Sequence, residues 1–338
     1  MEIKMGVVGL SHFHIHMFLE EALQINGVRI TGVYDDELDV SRAASERYKA
    51  PCFKSMDELL KQAEVNVIAT AAVNCKKPDI IIKTLEKDMP VIVDKPLATK
   101  MEDLDRIERF IKNKKNARLY MMLTERYNPV LYTIRKYIDA KEIGEIVNCI
   151  LLRPHKLKPE TRPAWFFRND LYGGLINDLG VHDIDIIRWM TGSEVQEILG
   201  ASKSTRRFTQ FKDFDDNGEV MLKMKDGSTA FIRVDWLTPD AYMYHGDCRI
   251  IVVGTKGQIE GFTVGMHGSC STGARVILCT NDKAPFEIPI ESPDFSMSED
   301  FFRSVLDDNR QSAVKLEDVL LCTRAALMAQ HAADMAQE

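Results

Sequence analysis

The first 122 residues alternate short apolar runs, often β-branched, with segments of helical spacing, and this alternation narrows the fold more than any other feature. Strand-like runs lie at 3–9, 28–34, 65–71, 90–93 and 118–123, with helical periodicity at 12–25, 37–48, 55–62, 76–87 and 100–113. Strands separated by helices need crossover connections, and these build a parallel sheet covered on both faces. Residues 1–122 are therefore expected to form a doubly wound α/β domain.

After residue 122 the pattern changes. A helix at 128–140, a strand at 146–153, the polar segment HKLKPETRPAW and a helix at 173–190 lead into strands at 194–202, 216–225, 228–236, 249–254, 258–262 and 275–279. Turn dipeptides such as Asp226-Gly227 between consecutive strands imply antiparallel pairing. Residues 123–338 are thus expected to be an α+β domain with a large, mostly antiparallel open sheet. Its closing helices, 297–306 and 316–335, are free to pack back on the first domain.

A chain of 338 residues exceeds the size at which one core keeps growing, which agrees with two domains. The net charge of -7 argues against nucleic acid or an anionic membrane as partner, because both are bound through surplus Lys and Arg. A small-molecule site is expected instead. Seven scattered cysteines without a C-x-x-C pair suggest neither a zinc knuckle nor a disulfide framework and read as reduced packing residues. MEIKMGVVGL does not resemble a signal peptide, and no apolar run has the length of a membrane span, so a cytoplasmic location is expected.

The turn after the first strand, in GVVGLSHFHIHMF, lies where parallel sheets bind ligands. The G-x-G-x-x-G fingerprint is reduced to Gly9, Ser11 and His14. Its context is nevertheless that of a dinucleotide turn: a strand precedes, a helix follows, and a second strand ends at Asp35, placed to accept both ribose hydroxyls and repel a 2′-phosphate. NAD is favoured over NADP on that ground, with a helix-capping role for Asp35 as the alternative. Ser11 can offer its amide and hydroxyl to phosphate. Helical spacing puts His12 and His16 on one face. No metal is expected there, since H-E-x-x-H is absent, no Cys joins them and the βα alternation stops too early for a barrel.

The segment VIVDKPLATKMEDL places Lys95 at the carboxyl edge of the sheet, held extended by Pro96. In GGLINDLGVHDID, residues 173–185, Asp178 and His182 are four apart and share a helix face, so the carboxylate can orient the imidazole and raise its basicity. Asp185 is a competing partner for the same ring.

With these stretches the chain resembles the Gfo/Idh/MocA family of NAD(P)-dependent oxidoreductases, the relatives of glucose-fructose oxidoreductase and inositol dehydrogenase. Asp94-Lys95-Pro96 matches the family's E-K-P motif, and Gly173 through Asp185 its G-G-x-x-x-D-x-G-x-H-x-x-D helix. Ala72-Val73-Asn74, Arg126-Tyr127-Asn128-Pro129 and Ile143-Gly144-Glu145-Ile146 follow the same pattern. The chain departs from it at two fingerprint glycines, at Asp94 for Glu, at Val73 for Pro and at Lys77 for His. His14, at the close-packing position, should lift the helix from the sheet or push toward the cofactor.

The resemblance implies a Rossmann first domain and hydride transfer between nicotinamide and a secondary alcohol or ketone of a sugar, cyclitol or related polyol. His182 would be the general base, Asp178 its orienting partner and a substrate ligand, and Lys95 the group that stabilises charge on the reacting oxygen. Gly9, Ser11, His12, Phe13, Asp35, Ala71, Asn74 and Lys95 match cofactor-facing positions. Arg126, His155, Trp165, Arg168, Asn169 and Tyr172 are substrate-side candidates, although Trp165 and Tyr172 could equally be core aromatics. A homo-oligomer assembled through the second domain's open sheet is also implied. The rival reading is a non-catalytic sensor of dinucleotide or sugar on the same fold; the degraded turn favours it, and the Lys95, Asp178 and His182 set opposes it.

Overall fold

A computed structural model of the protein describes residues 2–114, 116–263, 273–307 and 309–337. Of the seven cysteines, Cys270 lies outside the described residues. Two compact units are present: 1–122 with 170–173 and 295–320, and 123–169 with 174–294 and 321–338.

In the first unit the strands β1 (Ile3–Val8), β2 (Val28–Tyr34), β3 (Val67–Thr70), β4 (Val91–Val93) and β5 (Leu119–Met121) form a parallel sheet in the order β2-β1-β3-β4-β5. Every residue of β3 and β4 is buried, as expected of strands covered on both faces. The connecting helices are α1 (His14–Ala22), α2 (Leu38–Tyr48), α3 (Met56–Gln62), α4 (Lys77–Glu86) and α5 (Met101–Lys112). Each starts at or slightly after its expected position, because the capping residue stays outside the helix; Ser55, for example, accepts from the Glu58 amide ahead of α3.

The core of this unit does not come from its first 122 residues alone. Phe301, Phe302 and Val305 join Met5, Val7, Phe18 and Leu19 in one buried cluster, with Phe302 stacked on Phe18 at 5.9 Å between centroids. The segment 295–320 therefore groups with the first unit, and so does Tyr172. Both lie within 123–338, the expected second domain, whose closing helices the sequence left free to pack back on the first.

The second unit opens with α6 (Pro129–Asp139) and β6 (Ile146–Pro154). The helix expected over 173–190 is divided: α7 (Asn169–Tyr172) precedes the glycines, Ile176–Gly180 form a π turn, and α8 runs Val181–Thr191. Then follow β7 (Val195–Ser204), β8 (Asn217–Met224), β9 (Thr229–Asp235), β10 (Arg249–Gly254), β11 (Gly257–Phe262), β12 (Arg275–Thr280) and β13 (Lys283–Ile288). The sheet order is β13-β12-β11-β10-β6-β9-β8-β7, antiparallel except where β6 and β9 run parallel.

Strand β13, KAPFEI, was not anticipated. It is an edge strand, where a proline and flanking charges are tolerated because one row of amides needs no partner. One sheet face carries the buried side chains Cys149, Leu151, Val220, Ile232, Val252 and Leu278; α6 packs on β11 and β12, and α8 on β6. The chain closes with α9 (Met297–Leu306) and α10 (Leu316–Met335). No helix among the described residues is long and apolar enough to cross a membrane.

Candidate functional site

Parallel strands bring their carboxyl ends to one edge, and in the order β2-β1-β3 the chain reverses direction around β1. Gly9, Asp35, Ala71 and the Asp94-Lys95 pair all follow strands at this edge. The turn is closed by backbone bonds: Gly9 N–H donates to Tyr34 O at 2.7 Å, Ala71 N–H to Gly9 O at 3.0 Å, and His12 N–H to Ala71 O at 3.0 Å.

Gly9 is required twice over. Its φ is +80°, and a Cβ there would stand 2.3 Å from the Ala72 Cβ. Asp35 braces the same turn: its Oδ2 accepts from Leu10 N–H at 2.6 Å and from the Ser11 hydroxyl at 3.4 Å, and its Oδ1 accepts from Glu37 N–H at 2.9 Å. It also lines a groove of about 240 Å³ with Gly9, Ser11, Asp36, Ala72 and Lys76. A glycine-backed turn and an acidic rim beside a groove fit the phosphate and ribose of a dinucleotide. Lys76 is paired with Asp36 in that rim. Phe13 is exposed and Ala71 fully buried.

The residue that sequence reasoning treated only as a departure from pattern proves central. Lys77, with no exposed surface, donates through Nζ to Asn74 Oδ1 at 2.9 Å and to the carbonyls of Asp94, Lys95 and Pro96 at 2.8, 3.0 and 3.3 Å. It ties the Asp94-Lys95-Pro96 turn, whose Lys95-Pro96 peptide is cis, to the start of α4. Asn74 is buried too, and its Nδ2 donates to Tyr172 O at 2.8 Å. The i, i+3 spacing of Asn74 and Lys77 was the available signal.

The histidines divide differently from the helical expectation. Because α1 begins only at His14, His12 lies in the turn before it, and the pair that converges is His12 and His14. His12 Nδ1 lies 3.1 Å from Asp94 Oδ2 and His14 Nδ1 2.9 Å from Asp94 Oδ1. His14 thus turns to Asp94. His16 points elsewhere, its Nδ1 2.6 Å from the Tyr48 hydroxyl and its ring stacked on that tyrosine. Burial, aided by the neighbouring His14, lowers the His12 pKa to about 4, so its ring is neutral at pH 7. Burial opposes the charge of Asp94, but His14, His12 and Lys77 together hold its carboxyl well below the usual range.

In the second unit Asp178 and His182 are buried on consecutive turns, one in the π segment and one in α8. Gly174 (φ +91°) lets the side chain of Gln330, on α10, approach the backbone, where its Oε1 accepts from Ile176 N–H at 3.0 Å and Asn177 N–H at 3.4 Å. Asp185, the competing partner for the imidazole, is taken by Arg126, which forks onto it at 2.7 and 2.8 Å. Arg126, expected on the substrate side, is thereby committed to a buried ion pair.

A second buried pair, Arg153 and Asp183 at 2.7 Å, flanks the same helix. His155 holds the Pro154 carbonyl at 2.7 Å and packs against His245 and Trp236. Trp165 is buried, while Arg168 and Asn169 are exposed. Tyr172 is a buried aromatic of the first unit.

Comparison with known proteins bears on these geometries. Residues 3–122 match the family model described as an oxidoreductase family with an NAD-binding Rossmann fold, GFO/IDH/MocA, and residues 131–260 match the GFO/IDH/MocA C-terminal domain. An inositol 2-dehydrogenase of Arthrobacter sp. is 26% identical over 69% of this chain and 66% of its own length. Among solved structures, aldose-aldose oxidoreductase from Caulobacter crescentus superposes with TM-score 0.82 at 16% identity, covering 99% of this chain and 98% of that one. Myo-inositol 2-dehydrogenase from Lactobacillus plantarum superposes with TM-score 0.79 at 20% identity, covering 99% and 98%. At those identities the likeness is one of fold.

Proposed function

The chain belongs to the Gfo/Idh/MocA oxidoreductase family with its NAD-binding Rossmann fold, and from that premise we propose that it oxidises or reduces a secondary alcohol or ketone carbon of a sugar, cyclitol or related polyol. The observation that carries this reading is the retention of three ionisable side chains, Lys95, Asp178 and His182, all buried at 4%, 3% and 7% exposure. Buried ionisable groups cost folding energy, and their concentration on the motif positions is expected where protons must be moved.

The groove beside Gly9, Ser11 and Asp35 would hold the dinucleotide, with Asp35 and Asp36 facing the ribose and disfavouring a 2′-phosphate; NAD is therefore the preferred cofactor. When bound, the nicotinamide supplies a hydride acceptor or donor. The chain's own residues do the rest in the oxidative direction. His182 takes the hydroxyl proton, Asp178 holds the ring in the tautomer that can receive it, and Lys95 offers an ammonium to the oxygen as negative charge develops. The names of the inositol dehydrogenase relatives support a cyclitol or sugar as substrate.

Assembly through the second unit's sheet is supported by one cross-strand row on the face opposite the helices: Met221, Phe231, Ile150 and Ile251 stand side by side, followed by Glu260 and Ile277. An apolar centre with a charged flank is the composition of a protein contact.

The test is NADH formation over a panel of polyols with the wild type and with His182→Ala. Turnover is expected to fall by about 10²- to 10⁴-fold in the variant, the usual worth of a general base, while the affinity for NAD stays unchanged. A wild type that binds dinucleotide yet turns over no polyol or ketose, in either direction and with either cofactor, would leave the sensor reading in its place.

A further inference from the structure

We propose that His12, His14 and Asp94 form a binding site for one divalent transition-metal ion of the zinc type, with one coordination position open to solvent or substrate. The three side chains place ligand atoms within 4.8 Å of one another. Two imidazole nitrogens and a carboxylate oxygen are the donor set of many catalytic zinc sites, in which three protein ligands leave a fourth position free. Donors about 2.1 Å from such an ion stand roughly 3.4 Å apart at tetrahedral angles. The observed separations, 3.1 Å from His12 Nδ1 to Asp94 Oδ2 and 2.9 Å from His14 Nδ1 to Asp94 Oδ1, reach the two oxygens of one carboxylate, so a small rotation and outward adjustment presents one oxygen to an ion shared by both imidazoles.

The contacts of both histidines converge on Asp94. The His14 amide N–H lies 3.5 Å from His12 Nδ1, at the outer limit of a hydrogen bond. The same nitrogen lies 3.1 Å from the buried Asp94 Oδ2, a hydrogen-bond distance when Nδ1 carries the ring proton. His14 Nδ1 meets the other oxygen of the same carboxylate at 2.9 Å, so two imidazoles converge on one buried anion. A metal ion held there takes the place of the bridging protons and binds both imidazoles and the carboxylate at once.

The surroundings suit that assignment. Asp94 is only 1% exposed, and its backbone is fixed on both sides, since its N–H donates to Thr70 O at 2.8 Å and its carbonyl accepts from Lys77. His12 is 8% exposed, whereas the His14 side chain is 31% exposed and gives the site its open flank. A rigid buried pair of ligands and one accessible ligand allow an ion to enter and exchange.

Full-length protein stripped with a chelator and dialysed should bind one equivalent of Zn(II) by calorimetry. Co(II) in its place should give the visible absorption of a low-symmetry site with nitrogen ligands. His12→Ala and His14→Ala should each weaken binding by about 100-fold or more, because even an outer-shell partner of a ligand is worth about 10- to 100-fold. His245→Ala, which alters the histidine pair of the second unit, should leave it unchanged. Zn(II) should also raise the melting temperature of the wild type but not of the two ligand variants, by the linkage that favours whichever state binds.

Absence of stoichiometric binding to the wild type, or equal affinity in His14→Ala, overturns the assignment. If the alanine variants do not fold, Asp94→Asn and the wild-type titration decide it. None of these readouts depends on turnover, so the metal site can fail while the dehydrogenase reading stands, and the reverse.

Discussion

Lys77 shows how one side chain can organise a site it does not chemically serve. A buried ammonium is expensive, and here it is offset by four oxygen acceptors, three of them consecutive carbonyls of the Asp94-Lys95-Pro96 turn. Lys77→Met keeps the length and removes the charge, leaving those carbonyls buried without their donor. Urea unfolding is expected to show a loss of about 2–5 kcal/mol, the range for breaking one partner of a buried charged network. Turnover should fall more than NAD affinity does, since the turn that carries Lys95 loosens while the Gly9 turn keeps its own bonds. In sequence, Lys77 looked like a lapse from the family's histidine. A one-residue difference in a motif says that the chemistry of the position changed and cannot say which carbonyls the new group will reach.

At the scale of the element, the stretch that bears Asp178 and His182 is the informative one. The i, i+4 spacing was visible in sequence, but the π turn at Ile176–Gly180 was not, because such a turn is set by what meets the backbone from outside. Here that contact is Gln330, 154 residues from Ile176, accepting two amide protons that the helix start would otherwise leave unpaired. Gln330→Ala is expected to cost about 1–3 kcal/mol through those two amides. Amide hydrogen exchange should quicken at Ile176 and Asn177 while β10 and β11 keep their protection. On the same element Arg126 holds Asp185 in a bidentate pair, which weakens that carboxylate's claim on the imidazole.

For the whole molecule, the boundary between the two units does not follow chain order. Phe301 and Phe302 complete the core around Phe18, so the first unit's stability is written partly in its last forty residues. The outer row of the eight-stranded sheet is the other large-scale feature. If copies of the chain meet there, Met221→Lys combined with Phe231→Lys should lower the molar mass in light scattering to that of one chain, because burying two ammonium groups at a contact is strongly unfavourable. An unchanged mass would place the contact elsewhere.

The parallel sheet, the antiparallel sheet and the glycine turn after the first strand were all legible from the sequence, because each depends on local periodicity and on short spacings that chain geometry imposes. Edge strand β13 escaped because proline and charge obscure the pattern that an edge does not need. The partners of Lys77, the meeting of His12 and His14 on Asp94 and the reach of Gln330 were decided only by tertiary structure. Apart from the Asn74 contact of Lys77, those contacts join residues 17 to 154 positions apart, and which buried donor finds which buried acceptor is fixed by packing, not by spacing.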